Sequence, residues 1–314
     1  MATISEALAV ARQHHQSGRP ALAELVCRQI LQAEPRQGEA RRLLSRVLND
    51  QGVALAQEGR SLEAIASFQE ALELDPDHAA AYSNLGNALV MHDRIEEGMA
   101  CYRRALERNP DYAEAHGNLG NALMLQARHA EATACYRRAL ELCPDWIDIY
   151  RRLGDALRQQ DEFEAAAPCY RRFLEVHPDS ADVQQGLGLV LKNQGKLDEA
   201  VACCRRAIEI QPDFTEAHIV LGNTLKGQGK LDEAIACYRR ALEIRPDDAN
   251  AHGNLGLAFQ EQGRLAEAAA CYQRALEIQP DHLDTHWNQA LLWLLCGDFE
   301  HGWAEYEWRW RKKQ

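Results

Sequence analysis

"NLGNALMLQARHAEATACYRRALELCPD", residues 118–145, holds two amphipathic stripes and the breaks that bound them. Leu119, Gly120 and Leu123 recur at helical spacing, and so do Ala132, Tyr136, Ala139 and Leu140. Pro144 stops the second stripe, because proline has no N–H and clashes with the preceding turn. The same stretch returns along the chain. Prolines stand at 76, 110, 144, 178, 212, 246 and 280, always 34 residues apart, each followed by Asp. With this proline as position 32, position 8 is Gly in Gly52, Gly86, Gly120, Gly154, Gly188, Gly222 and Gly256. Position 20 is small throughout, and position 24 is aromatic in Phe68, Tyr102, Tyr136, Tyr170, Tyr238 and Tyr272. Positions 4, 7, 8 and 11 read as the packing stripe of helix A, and 20, 24, 27 and 28 as that of helix B. Gly59, Gly195, Gly229, Gly263 and Gly297 fall between them at position 15, where a left-handed residue ends helix A. A fixed period of two helices is the signature of a solenoid, in which each unit buries its apolar face only against its neighbours.

These residues resemble the tetratricopeptide repeat (TPR) family, whose pattern runs L-G-x-x-Y, A-x-x-x-F, then P. The expected fold is all-α, one right-handed superhelical solenoid of about nine helix-turn-helix hairpins over 1–314, the handedness being implied by the resemblance. Residues 4–35 form a divergent first repeat and 79–282 six regular ones. Residues 36–78 carry seven extra positions, about two helical turns, which predicts a first helix lengthened to run from about Gly38 to Gln57. Residues 283–314 form a degenerate, Trp-rich last unit.

The formal charge of the 314-residue chain is -12, which argues against nucleic acid or an anionic membrane as partner. No signal-peptide pattern opens it and no apolar run approaches a membrane span, so a cytoplasmic location is expected. No Ser/His/Asp set, phosphate-binding Gly loop or metal motif is present. The chain is therefore read as non-enzymatic, with no cofactor or metal.

Three repeated features have a structural explanation. Cys101, Cys135, Cys169, Cys203, Cys237 and Cys271, all at position 23, lack zinc spacing and stand about 10 Å apart across an intervening helix, too far for disulfides. They read as small thiols copied with the repeat. Arginine pairs at positions 25 and 26, such as Arg137-Arg138, read as an outer face, the first Arg being placed to pair with a Glu four residues on. Acids at position 2 (Glu114, Asp148, Asp182, Glu216, Asp284) follow Asp111, Asp145, Asp179, Asp213 and Asp281 by three residues, the spacing of a capping box.

Helix A carries a less easily explained pattern. Positions 6 and 9 hold Asn84, Asn87, Asn118, Asn121, Asn223, Asn254 and Asn288. Asparagine is a mediocre helix former, so its repetition suggests a use. An amide both donates and accepts, and a row of amides can pair with the backbone of an extended chain whatever its side chains. The "NLGNAL" runs at 84–89 and 118–123 resemble the asparagine ladder of the TPR regions of O-GlcNAc transferase and bacterial Spindly-like proteins. That resemblance implies a concave groove, formed by helix A, that binds a polypeptide partner. Hydrogen bonding between helices A of neighbouring repeats is the structural alternative. Arg151, Arg152, Asp155 and Arg158 interrupt the ladder, either to anchor an acidic group or with Asp155 neutralising an arginine internally. A two-carboxylate clamp would need basic residues at positions 2 and 5, but in the six regular repeats position 2 is mostly acidic and Arg151 is the only basic residue at position 5. The same repeat carries Pro168 within helix B, where a local bend is expected.

Trp287, Trp293, Trp303, Trp308 and Trp310 crowd the last unit. "GDFEHGWAEYEWRW", 297–310, resembles the junction between a TPR array and a glycosyltransferase-like domain. Three functions follow: a peptide-binding scaffold, a substrate-presenting module of a larger enzyme, or a self-assembling solenoid joined through these aromatics.

Overall fold

The computed structural model describes residues 3–308, which form eighteen α-helices and, among these residues, no strand. Contacts divide them into two compact units, meeting at Gln160 and Asp161. The first holds α1 (Ile4–Gln16), α2 (Pro20–Ala33), α3 (Gly38–Gln57), α4 (Ser61–Leu74), α5 (Ala79–Met91), α6 (Ile95–Arg108), α7 (Ala113–Leu125), α8 (His129–Leu142) and α9 (Ile147–Arg158). The second holds α10 (Phe163–Val176), α11 (Ala181–Asn193), α12 (Leu197–Ile210), α13 (Thr215–Gly227), α14 (Leu231–Ile244), α15 (Ala249–Glu261), α16 (Leu265–Ile278), α17 (Leu283–Leu295) and α18 (Phe299–Tyr306). Within each unit consecutive helices pack as antiparallel hairpins, and each helix A also touches the helix A of the next repeat, as α5 touches α7 and α13 touches α15. This is the stacked all-α hairpin array that the period implies. The lengthened α3 has twenty residues against thirteen for α5. Helix α10 runs from Phe163 to Val176 with Pro168 inside it, so that proline does not end the helix.

Small residues set the packing distance. A Cβ placed on Gly120 would lie 2.6 Å from the ring of Tyr136, and one on Gly222 would lie 2.5 Å from Tyr238. The position-8 glycine is thus the socket for the position-24 ring, which is fully buried in Tyr136, Tyr238 and Tyr272. In one repeat a thiol does this work: Cys204 stands at position 24 and its Sγ lies 2.6 Å from the Cβ position of Gly188. Helix A ends on a left-handed residue at position 15, with φ near 76° at Gly195 and Gly263. Where the copying lapses, Asp93, Ala127 and Asp161 take the same positive φ without being glycine.

Two expectations about the charged decoration need correction. Helix A begins one residue later than a capping box on Asp111 requires: the N-cap of α7 is Tyr112, with no side-chain cap bond. Asp111 sits in the turn, outside the helix, and its carboxylate pairs with Arg138 of the next helix B at 2.6 Å. Asp179–Arg206 (2.6 Å) and Asp247–Arg274 (2.9 Å) repeat that contact. The outer glutamate, in turn, pairs with the second arginine three residues back, as in Arg138–Glu141 at 2.9 Å, and a first arginine reaches the following helix B, as in Arg171–Glu199 at 2.8 Å. Position 4 is also less apolar than a packing stripe suggests. His116, His218 and His252 each approach the carbonyl of the preceding proline at 2.9–3.0 Å. This bond satisfies an acceptor that the Pro-Asp turn would otherwise leave open.

Candidate functional site

The asparagines of helix A divide into two classes. Those at position 9 are tied to their own repeat: Tyr102 donates to Asn87 Oδ1 at 2.7 Å, Tyr136 to Asn121 at 2.8 Å and Tyr238 to Asn223 at 2.7 Å. A ring buried for packing carries a hydroxyl that needs an acceptor, and position 9 directly follows the glycine socket on helix A. Where position 9 is Leu257, Tyr272 instead reaches Gln260 at 2.9 Å. Burial pushes the Tyr136 hydroxyl up to about 12, so it stays a donor at neutral pH. The bond uses the amide oxygen and leaves two N–H donors on each of these half-buried side chains.

Position 6 links repeats. Asn84 donates to Asn49 Oδ1 on α3 at 2.8 Å, and Arg152 donates to Asn121 Oδ1 on α7 at 2.9 Å. Asn49 was not part of the ladder because, counted from Pro76, it stands at position 5 and not at 6 or 9. Asn118, Asn254 and Asn288, also at position 6, are half-buried.

Two clefts open on this helix-A face in the first unit. One, of about 260 Å3, lies between α3 and α5 and is lined by Val53, Ala56, Gln57, Asn84, Asn87 and Met91, with Ser61 and Phe68 from α4. The other, of about 370 Å3, lies between α7 and α9 and is lined by Asn121, Met124, Leu125, Arg151, Arg152 and Asp155, with Tyr136 from α8. The structure therefore brings Asn121, Arg151, Arg152 and Asp155 together. Arg158 is half-buried on the same helix but is not part of that lining. Arg151 lies 3.7 Å from Asp155 one turn along α9, a loose ion pair. Asn223, Asn254 and Asn288 line neither cleft. The apolar walls escaped sequence reading. Met91 is 76% exposed and Leu125 65%, both at position 13. Their signal was that position 13 is polar or Gly in the next four repeats, at Gln159, Asn193, Gly227 and Glu261.

In the second unit Lys192 and Lys226 occupy position 12 of α11 and α13. Burial, and then the neighbouring Lys226, hold the Lys192 ammonium below its ordinary range. Lys226 pairs with Glu261 at 3.3 Å.

The last hairpin gathers its aromatics. Trp287 and Trp303 both contact Tyr306, at 4.8 and 5.6 Å between ring centroids, and Trp293 lies 5.6 Å from His301. Trp308 stacks on His286 at 3.7 Å, while His286 also meets Glu305 and the Pro280 carbonyl. Trp310 lies outside the described residues. The ten cysteines are free, and among the described residues no group of His, Cys, Asp or Glu is placed to hold a metal ion. No described helix is long and apolar enough to cross a membrane.

TPR and tetratricopeptide-repeat family models match residues 52–93, 79–112, 111–179, 151–213, 222–263 and 249–282. The chain belongs to the tetratricopeptide repeat family. Among solved structures, the TPR array is similar to YrrB, described as a TPR protein with an unusual peptide-binding site, at 27% identity and TM-score 0.56 over 59% of this chain and 95% of that one. It is similar to the MamA protein at 26% identity and TM-score 0.51, over 55% of this chain and 93% of that one. The Cut9–Hcn1 structure of the APC/C shares the fold at 16% identity and TM-score 0.57, covering 91% of this chain and 55% of that one. No curated protein sequence matches significantly.

Proposed function

We propose that the chain is a non-enzymatic interaction scaffold that holds an extended polypeptide across the helix-A faces of its repeats. One observation carries this reading: the ladder asparagines Asn84, Asn87 and Asn121 line clefts on that face, and the tyrosine bonds on Asn87 and Asn121 leave their N–H donors for backbone carbonyls. The similarity to YrrB, whose description names a peptide-binding site, supports it. The test uses dodecapeptides selected by display on the full chain and labelled for fluorescence anisotropy. Changing Asn84, Asn87 and Asn121 together to Ala is expected to weaken their binding strongly. Unaltered affinity in a folded triple variant defeats the asparagine reading.

A second reading is self-association through the last hairpin. Leu295, Phe299 and Trp303 are 65%, 60% and 58% exposed, an apolar patch of the kind that marks contact surfaces. Light scattering over a concentration series tests it, and a strict monomer at high concentration excludes it.

A further inference from the structure

The two clefts of the first unit differ in chemistry, and their separation is set by the repeat. The cleft between α3 and α5 has no charged side chain in its lining and is walled by Val53, Ala56, Phe68 and Met91. The cleft between α7 and α9 carries two guanidinium groups and one carboxylate, an excess of one positive charge in a chain whose formal charge is -12. Arg151 and Arg152 are adjacent on α9, and Arg152 is oriented by its 2.9 Å bond to Asn121. A guanidinium fork held in that way matches a carboxylate in two parallel bonds.

Helices α3, α5, α7 and α9 touch in series. Packed helices lie about 8–10 Å apart, so clefts two repeats apart are separated by roughly 16–20 Å. An extended chain advances about 3.3 Å per residue and spans that distance in about five or six residues.

We infer that the ligand is an extended segment with a large aliphatic side chain for the α3–α5 cleft and an Asp or Glu for the α7–α9 cleft, about five or six residues apart. This rests on the peptide-scaffold reading and adds its side-chain requirements. Backbone pairing by the asparagines is indifferent to ligand sequence. The clefts supply the selectivity, the apolar one through burial and the arginine one through charge.

Random dodecapeptides displayed and selected on the full chain should be enriched in an acidic and an aliphatic residue at that spacing. A selected peptide with its acid changed to the amide should bind the wild-type chain about tenfold more weakly, a loss of about 1.4 kcal/mol. The same change should cost little on Arg151→Gln, and Arg151→Glu should select peptides with Lys or Arg in place of the acid. Selected peptides that lack the acid, or an amide change that costs Arg151→Gln as much as wild type, overturn the inference and leave the scaffold reading standing. Failure to select any binding peptide defeats both. Should the arginine variants not fold, by circular dichroism, the peptide-side change on the wild-type chain still decides: an unchanged affinity overturns the acidic requirement.

Discussion

Tyr136 and Asn121 are joined by a 2.8 Å hydrogen bond, the phenol of helix B donating to the amide Oδ1 of helix A. The bond makes Asn121 a packing residue and a cleft residue at once, and the pairs Tyr102–Asn87 and Tyr238–Asn223 repeat it. Changing Tyr136 to Phe leaves Oδ1 bonded to Arg152, so the cost should be about 1 kcal/mol. Changing Asn121 to Ala removes the oxygen that accepts from both Tyr136 and Arg152 and should cost more, about 2 kcal/mol. Urea unfolding of the two variants and the double variant measures both. A milder loss in Asn121→Ala than in Tyr136→Phe would contradict this account.

Gly120 and Gly186 should respond in opposite ways to the same substitution. An alanine at 120 drives its methyl into the Tyr136 ring at 2.6 Å and should destabilise by about 2–3 kcal/mol. An alanine at 186 meets nothing closer than 3.5 Å, in Tyr170, and gains helix propensity, so it should be neutral or stabilising by up to about 1 kcal/mol. Thermal melting of the two single variants checks the contrast.

Ala127 holds φ at 54°, where six other repeats place glycine. A side chain in the left-handed region costs roughly 1–2 kcal/mol, and glycine's greater freedom in the unfolded chain returns part of that. Ala127→Gly should therefore raise stability by about 0.5–1 kcal/mol. A lower unfolding midpoint would show that the turn does not strain the alanine.

The cysteines should alkylate by burial and not by repeat position. Burial pushes the Cys237 and Cys271 thiols up to about 11, and Cys204, fully buried, to about 12. A raised thiol pKa lowers the thiolate fraction at every pH below it, and the thiolate is the nucleophile. Mass spectrometry after brief iodoacetamide treatment at pH 8 should find Cys143 and Cys296, the two exposed thiols, modified first and Cys204 last. Preferential labelling of Cys237 or Cys271 in the native protein would revive a chemical role for position 23.

The 34-residue period was enough to assign the hairpin array, because glycine socket, aromatic plug, left-handed turn and helix-stopping proline are local chemistry copied at fixed spacing. The arginine and asparagine residues of the candidate site were also visible, as interruptions or oddities in that copying. The partner of each residue was not. Asp111 has the spacing of a capping residue yet bonds Arg138, 27 residues away, because the turn places the helix start at Ala113. Asn87 and Asn121 looked free to bind a ligand through both amide groups, yet each gives its oxygen to a tyrosine fifteen residues on. The sequence alone thus determined which helices form and which faces meet, since periodicity is a property of the chain. Only tertiary structure decided which polar atoms are already used and where apolar walls enclose a cleft. Those depend on distances between helices, which the repeated packing positions set but do not spell out.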